Sequence, residues 1–102
     1  MVLQQLQTNA SKAEILLKSM ANRHRLMILC TLLRQERDVN SLVDELCLSQ
    51  SAVSQHLKVL KGANVLASRK DGVKVIYSIV DPLVGAILSN LYLAYCGPQT
   101  DC

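Results

Sequence analysis

The sequence predicts a mainly α-helical domain carrying one β-hairpin, in the order α-α-α-α-β-β-α, and three features predict it. From Ala13 to Leu60 apolar residues recur at helical intervals. Around Asp71-Gly72 the period shortens to alternation, and the chain then closes on a nearly uniform apolar run from Pro82 to Tyr95. A chain of 102 residues suits a single domain spanning 1–102. At this size the buried fraction is modest, so a second chain often helps to complete the core.

The first helix is expected within "NASKAEILLKSM", because Ser11 and Glu14 have capping-box spacing and Ala13, Leu16, Leu17 and Met20 follow at helical intervals. Residues 1–10 are then an N-terminal arm. Ala21 and Asn22 interrupt the pattern, and a second helix sets Leu26, Leu29, Cys30 and Leu33 on one stripe before the charged run "RQERD". Asn40 or Ser41 is suited to cap a short third helix with Leu42, Val43 and Leu46 inward. "LSQS" reads as a tight turn. Ser49 caps a fourth helix, Gln50 to Lys61, with Val53, Leu57 and Leu60 as the buried spacing and Gly62 as its stop. Two short helices joined by a few residues make a helix-turn-helix.

In "VLASRKDGVKVIYSI" two β-prone runs flank Asp71-Gly72, a hairpin signal because Gly tolerates positive φ. A hairpin with Arg69, Lys70 and Lys74 near its tip is a wing, which makes the expected fold a winged helix-turn-helix. Asp81 then caps a last helix with Pro82 at its first position, where the missing N–H costs nothing. That helix is apolar nearly all round, through Leu83, Val84, Ile87, Leu88, Leu91, Tyr92, Leu93 and Tyr95. One face covers its own domain and the other needs a second chain, so a homodimer joined by this helix is expected, beside the first helix. Gly97-Pro98 ends it, leaving 97–102 as a loose tail.

Net charge is +3, and its distribution says more than its size. Residues 50–80 hold Lys58, Lys61, Arg69, Lys70 and Lys74 against Asp71 alone, as a face for double-stranded DNA requires. On the fourth helix Gln50, Ser51, Ser54, Gln55 and Lys58 lie away from Val53, Leu57 and Leu60. Gln and Ser suit base edges, while Lys58, Arg69, Lys70 and Lys74 suit phosphates. An ordinary solvated polar face is the plainer reading of that helix taken alone. His56 is expected to bond a neighbouring backbone group, and His24 to be solvated.

The stretches "LLKSMANRHRLMIL" and "LSQSAVSQHLKVLKGANVLASRKDGVKVIYSI", followed by the apolar helix, resemble the ArsR-type winged-helix repressors over essentially the whole chain. The resemblance implies a homodimer that binds a partly palindromic operator in the absence of its inducer. Metal-sensing relatives use a Cys-x-Cys pair in the third helix, where "RDVNSLVDEL" has no cysteine, or acid and His ligands along the last helix. Here Asp81 matches the first of those, but Leu83, Ala94 and Gly97 stand where the others would be. No metal site and no cofactor are expected.

What remains is a Cys in the second helix and a Cys at the end of the last. That pair, Cys30 and Cys96, resembles the sulfide- and persulfide-responsive branch of the family, which implies redox-sensing residues joined by a disulfide or polysulfide when reactive sulfur species act as inducer. Cys47 and Cys102 depart from the simple two-cysteine pattern. Cys47 is expected to be buried, and Cys102 exposed but poorly positioned. Packing is the competing role for Cys30, since free Cys is among the most buried residue types. A peroxide sensor or a sensor of arsenite or another thiophilic metal would use the same fold. A small thiol sulfurtransferase is a remoter alternative, and an enzyme is not expected because no Gly-rich loop or base accompanies either cysteine. The N-terminus does not read as a secretory signal, and Pro82 to Cys96 falls short of the roughly 20 residues that span a bilayer. The expected location is the cytoplasm, with no membrane partner.

Overall fold

The computed structural model describes residues 2–96. Its elements are α1 (Leu3–Met20), α2 (Arg23–Arg34), β1 (Arg37–Asp38), α3 (Val39–Leu46), α4 (Gln50–Gly62), β2 (Leu66–Asp71), β3 (Lys74–Ile79) and α5 (Pro82–Tyr95). The expected order is therefore present, with one short strand added between α2 and α3.

Local chemistry explains most boundaries. Asn22 caps α2 by accepting from the His24 and Arg25 backbone N–H groups, Ser49 caps α4 by accepting from Ala52, and Asp81 caps α5 by accepting from Leu83. The cap of α3 is Asp38, which accepts from Ser41, rather than Asn40 or Ser41. The first helix starts at Leu3, so residues 3–10 are helical and not an arm. Ser11 caps nothing, because its Oγ donates to the Gln7 carbonyl, and Thr8 bonds back to Gln4 in the same way. Gly62 still belongs to α4, and the residue with positive φ beyond it is Asn64. The expected tail at 97–102, with Cys102, lies outside the described residues.

Strands β1, β3 and β2 form an antiparallel sheet in that order. Asp71 pairs with Lys74, so Gly72 and Val73 make the hairpin tip. Gly72 has φ +65, the conformation that this first turn position requires and that a side chain would strain. The core gathers Leu16 and Met20 of α1, Ile28, Leu29 and Leu32 of α2, Leu42 of α3, Val53, Leu57 and Leu60 of α4, and Val84 and Leu88 of α5, closed by Val65 and Leu66.

Three expected inward positions point elsewhere. Leu17 is exposed, and on α2 the buried stripe is Ile28, Leu29 and Leu32, which leaves Leu33 and Cys30 outside. Past Leu88, residues 89–95 of α5 are all exposed in the single chain. The radius of gyration is 15.0 Å, against about 13 Å for a compact domain of this length, and residues 3–15 of α1 and 89–95 of α5 are exposed.

Candidate nucleic-acid interface and thiol site

Val53, Leu57 and Leu60 anchor α4 in the core at no more than 1% exposure. The same helix therefore presents Gln50, Ser51, Ser54, Gln55 and Lys58 to solvent, all exposed. The five residues selected from the sequence share one accessible surface at the N-terminal half of α4 and its continuation.

The wing residues divide. Because side chains alternate along a strand, Arg69 and Lys74 fall on one face of the hairpin and Lys70 on the other. Pairing of β1 with β3 brings two acids to the first face. Arg69 Nη1 donates to Glu36 Oε2 at 2.9 Å, and Lys74 Nζ lies 3.8 Å from Asp38 Oδ2. Glu36 raises the Arg69 pKa by accepting that hydrogen bond. Asp38 is held below the ordinary carboxylate range first by its hydrogen bonds with Ser41, with Lys74 a smaller contributor. Arg69 and Lys74 thus have internal partners, whereas Lys58 and Lys70 enter no ion pair among the described residues. Asp38 belongs to a strand only two residues long and Glu36 directly precedes it, and the sequence carries no signal for that strand.

His56 is half-buried and accepts from Arg25 Nη1 at 3.4 Å, so it bonds a side chain of another helix and not a neighbouring backbone group. His24 is not simply solvated, since its ring centroid lies 5.8 Å from that of His56.

Cys30 carries a free, exposed thiol on the outer side of α2. Surrounding protein still desolvates its sulfur enough to raise its pKa. α5 packs on this helix near Gly85, where an added Cβ would meet Leu33 Cδ2 at 3.7 Å. Cys96 is the C-cap of α5, half-buried and disulfide-bonded in this structure. Cys47, expected inside, is exposed with a free thiol. It ends α3 in a left-handed conformation, φ 56, and that turn carries its side chain out of the core. Among the described residues no three His, Cys, Asp or Glu side chains gather as a metal-holding group, and no helix is long and apolar enough to cross a membrane.

The model of the bacterial regulatory protein, arsR family, matches residues 22–68, from the cap of α2 into β2. Over 96 residues the chain is 44% identical to the transcriptional activator HlyU of Vibrio cholerae, covering 94% of this chain and 89% of that protein. It is 31% identical over 94 residues to the biofilm growth-associated repressor of Agrobacterium fabrum, covering 92% and 80%. The structure of reduced HlyU from V. cholerae matches with a TM-score of 0.84 at 44% identity, over 92% of this chain and 99% of that one. Helix order, hairpin and these similarities agree, and the chain belongs to the ArsR family of winged helix-turn-helix transcriptional regulators.

Proposed function

We propose that the chain acts as a homodimeric repressor that holds operator DNA until Cys30 and Cys96 become joined by a disulfide or polysulfide, and then releases it. The observation that carries the reading is the free Cys30 thiol on the exposed side of α2, the helix against which α5 packs and whose partner helix ends at Cys96. The dimer reading is supported by the apolar surface that α5 leaves open, Leu83, Leu91, Tyr92, Leu93 and Tyr95, together with Leu17 and Ile15 of α1. A relative named as an activator stands beside one named as a repressor, so release of DNA is the molecular event proposed and repression its default consequence.

The chemistry balances with a persulfide as oxidant. Cys30 thiolate attacks the terminal sulfur of R–S–SH, giving Cys30–S–SH and RS⁻, and Cys96 thiolate attacks the Cys30 sulfur to close the disulfide and expel HS⁻. From the state seen here, where Cys96 is already in a disulfide, Cys30 thiolate attacks the Cys96 sulfur and the former partner leaves as thiolate. Cys96 lies eleven residues beyond Gly85, about 16 Å along α5 at 1.5 Å per residue. Closing the bridge therefore draws the exposed end of α5 toward α2. In a dimer joined through α5, such a movement changes the spacing of the two α4 helices, and simultaneous contact with half-sites one DNA turn apart is lost.

The test treats wild type, Cys30→Ser and Cys96→Ser with inorganic polysulfide and follows DNA affinity with intact mass and peptide mapping. A Cys30–Cys96 link with loss of DNA in wild type alone is expected. Release that persists in either variant refutes the proposal, and bridging by peroxide but not polysulfide would assign a peroxide sensor instead.

A further inference from the structure

Behind the reading face, Arg25 on the first turn of α2 reaches two other helices at once. Its Nε donates to the Ser19 carbonyl and its Nη2 to the Lys18 carbonyl at 3.3 Å, both in the last turn of α1, while Nη1 meets His56 Nδ1 on α4. The end of a helix leaves unpaired carbonyls and partial negative charge, so a guanidinium suits it. Guanidinium donates only, so the contact with His56 is a hydrogen bond only while Nδ1 carries no proton. His56 sits between Gln55 on the exposed face and Leu57 in the core. The apolar contacts of Val53, Leu57 and Leu60 resist withdrawal of α4 but are non-directional. A directional bond at His56 adds what they lack, a preferred rotation about the helix axis.

We infer that Arg25 is a positioning residue for DNA recognition, fixing the roll of α4 against the end of α1 through the neutral imidazole of His56. This rests on α4 being the DNA-reading helix. Protonation of His56 sets two donors and two positive charges against each other at 3.4 Å. Burial, then Arg25, then His24 all disfavour that protonation and lower the His56 pKa. Lys18, whose carbonyl Arg25 meets, turns its own charge outward to Glu14 at 3.6 Å. The neutral, bonded arrangement is thus the resting one, and acid opposes it.

The probe is the duplex that wild-type protein selects from a random-sequence pool, with a scrambled duplex as control. Wild-type affinity for the selected duplex should fall as pH drops below the ordinary histidine value of about 6.5. Added positive charge alone would strengthen DNA binding, the opposite sign. Arg25→Ala should lose about tenfold in affinity for the selected duplex, the usual effect of removing a charged hydrogen-bond donor. Its affinity for the scrambled duplex and its salt dependence should not change. His56→Asn offers an amide oxygen near the Nδ1 position and cannot titrate, so it should keep neutral-pH affinity and lose the acid sensitivity, a result that stands even where Arg25→Ala misfolds. Wild-type affinity that is flat or rises on acidification overturns the inference, as do acid sensitivity retained in His56→Asn or unchanged affinity in a folded Arg25→Ala. A wild-type chain that selects no duplex overturns the DNA-reading assignment and this inference with it.

Discussion

If the proposed DNA-binding role of the wing holds, Glu36 competes with phosphate for Arg69. Arg69, expected from the sequence to grip the backbone, is held by Glu36 at 2.9 Å, and the two side chains are 54% and 48% exposed. Replacing Glu36 by Gln removes the charge while keeping the shape, so Arg69 becomes available to DNA and a repelling carboxylate disappears from the same face. Each phosphate newly neutralised steepens the dependence of log affinity on log salt by about 0.9, or nearly 2 for a dimer. That is roughly eightfold in affinity per protomer for each tenfold dilution of salt. Folding stability should hardly move, because water already screens a half-exposed pair. The assay is fluorescence anisotropy of a labelled duplex across a salt series, with urea denaturation alongside. A slope that is unchanged or shallower in Glu36→Gln would show that Arg69 contributes no phosphate contact when freed.

Leu57→Ala should destabilise the fold by about 2–5 kcal/mol in urea denaturation, the range for truncating a fully buried leucine, and a loss below about 1 kcal/mol would contradict the placement of α4 in the core. Ser49→Ala removes the acceptor for the Ala52 N–H and should cost about 1 kcal/mol, with unchanged stability arguing against the cap. In a Cys47→Ser background, with peptide mapping to isolate Cys30, its alkylation by iodoacetamide should still be accelerating with pH beyond the ordinary thiol value of about 8.5. The thiolate is the nucleophile and burial raises the Cys30 pKa, so a plateau below that pH would contradict the desolvation.

What the sequence disclosed was whatever depends on near neighbours. Ser49 and Asp81 cap helices through N–H groups two or three residues on, and Gly72 turns the hairpin through its own φ, so each signal is complete within a few residues. Features assembled from distant segments were not legible. The strand Arg37–Asp38 exists because Ile76 and Tyr77 pair with it, and only that pairing brings Glu36 and Asp38 beside Arg69 and Lys74. Arg25 stands in the run "RHR" with nothing to distinguish it from Arg23, since its acceptors lie on α1 and α4. Local signals also compete: Ser11 is a good cap by type, yet a hydroxyl inside a helix is equally well satisfied by the carbonyl four residues back.

Cys30 illustrates a different limit. Leu26, Leu29, Cys30 and Leu33 form an acceptable apolar stripe, and so do Ile28, Leu29 and Leu32, because α2 is apolar on more than one side. Periodicity establishes the helix but not which stripe faces its own core. At about 100° per residue Cys30 points roughly 180° from the midpoint of Ile28 and Leu32, so assigning the core to one stripe removes Cys30 from it entirely. The choice is made by what packs on α2, where α3, α4 and β3 contact it and α5 approaches at Gly85 beside Leu33. An exposed apolar helix surface is stable only when something covers it, and α5 leaves the same need unmet at Leu91, Tyr92 and Leu93. A thiol on this side of α2 therefore stands outside the core of its own chain. Under the proposed function, a covalent link at Cys30 would shift how chains meet without breaking the core that Ile28, Leu29 and Leu32 build.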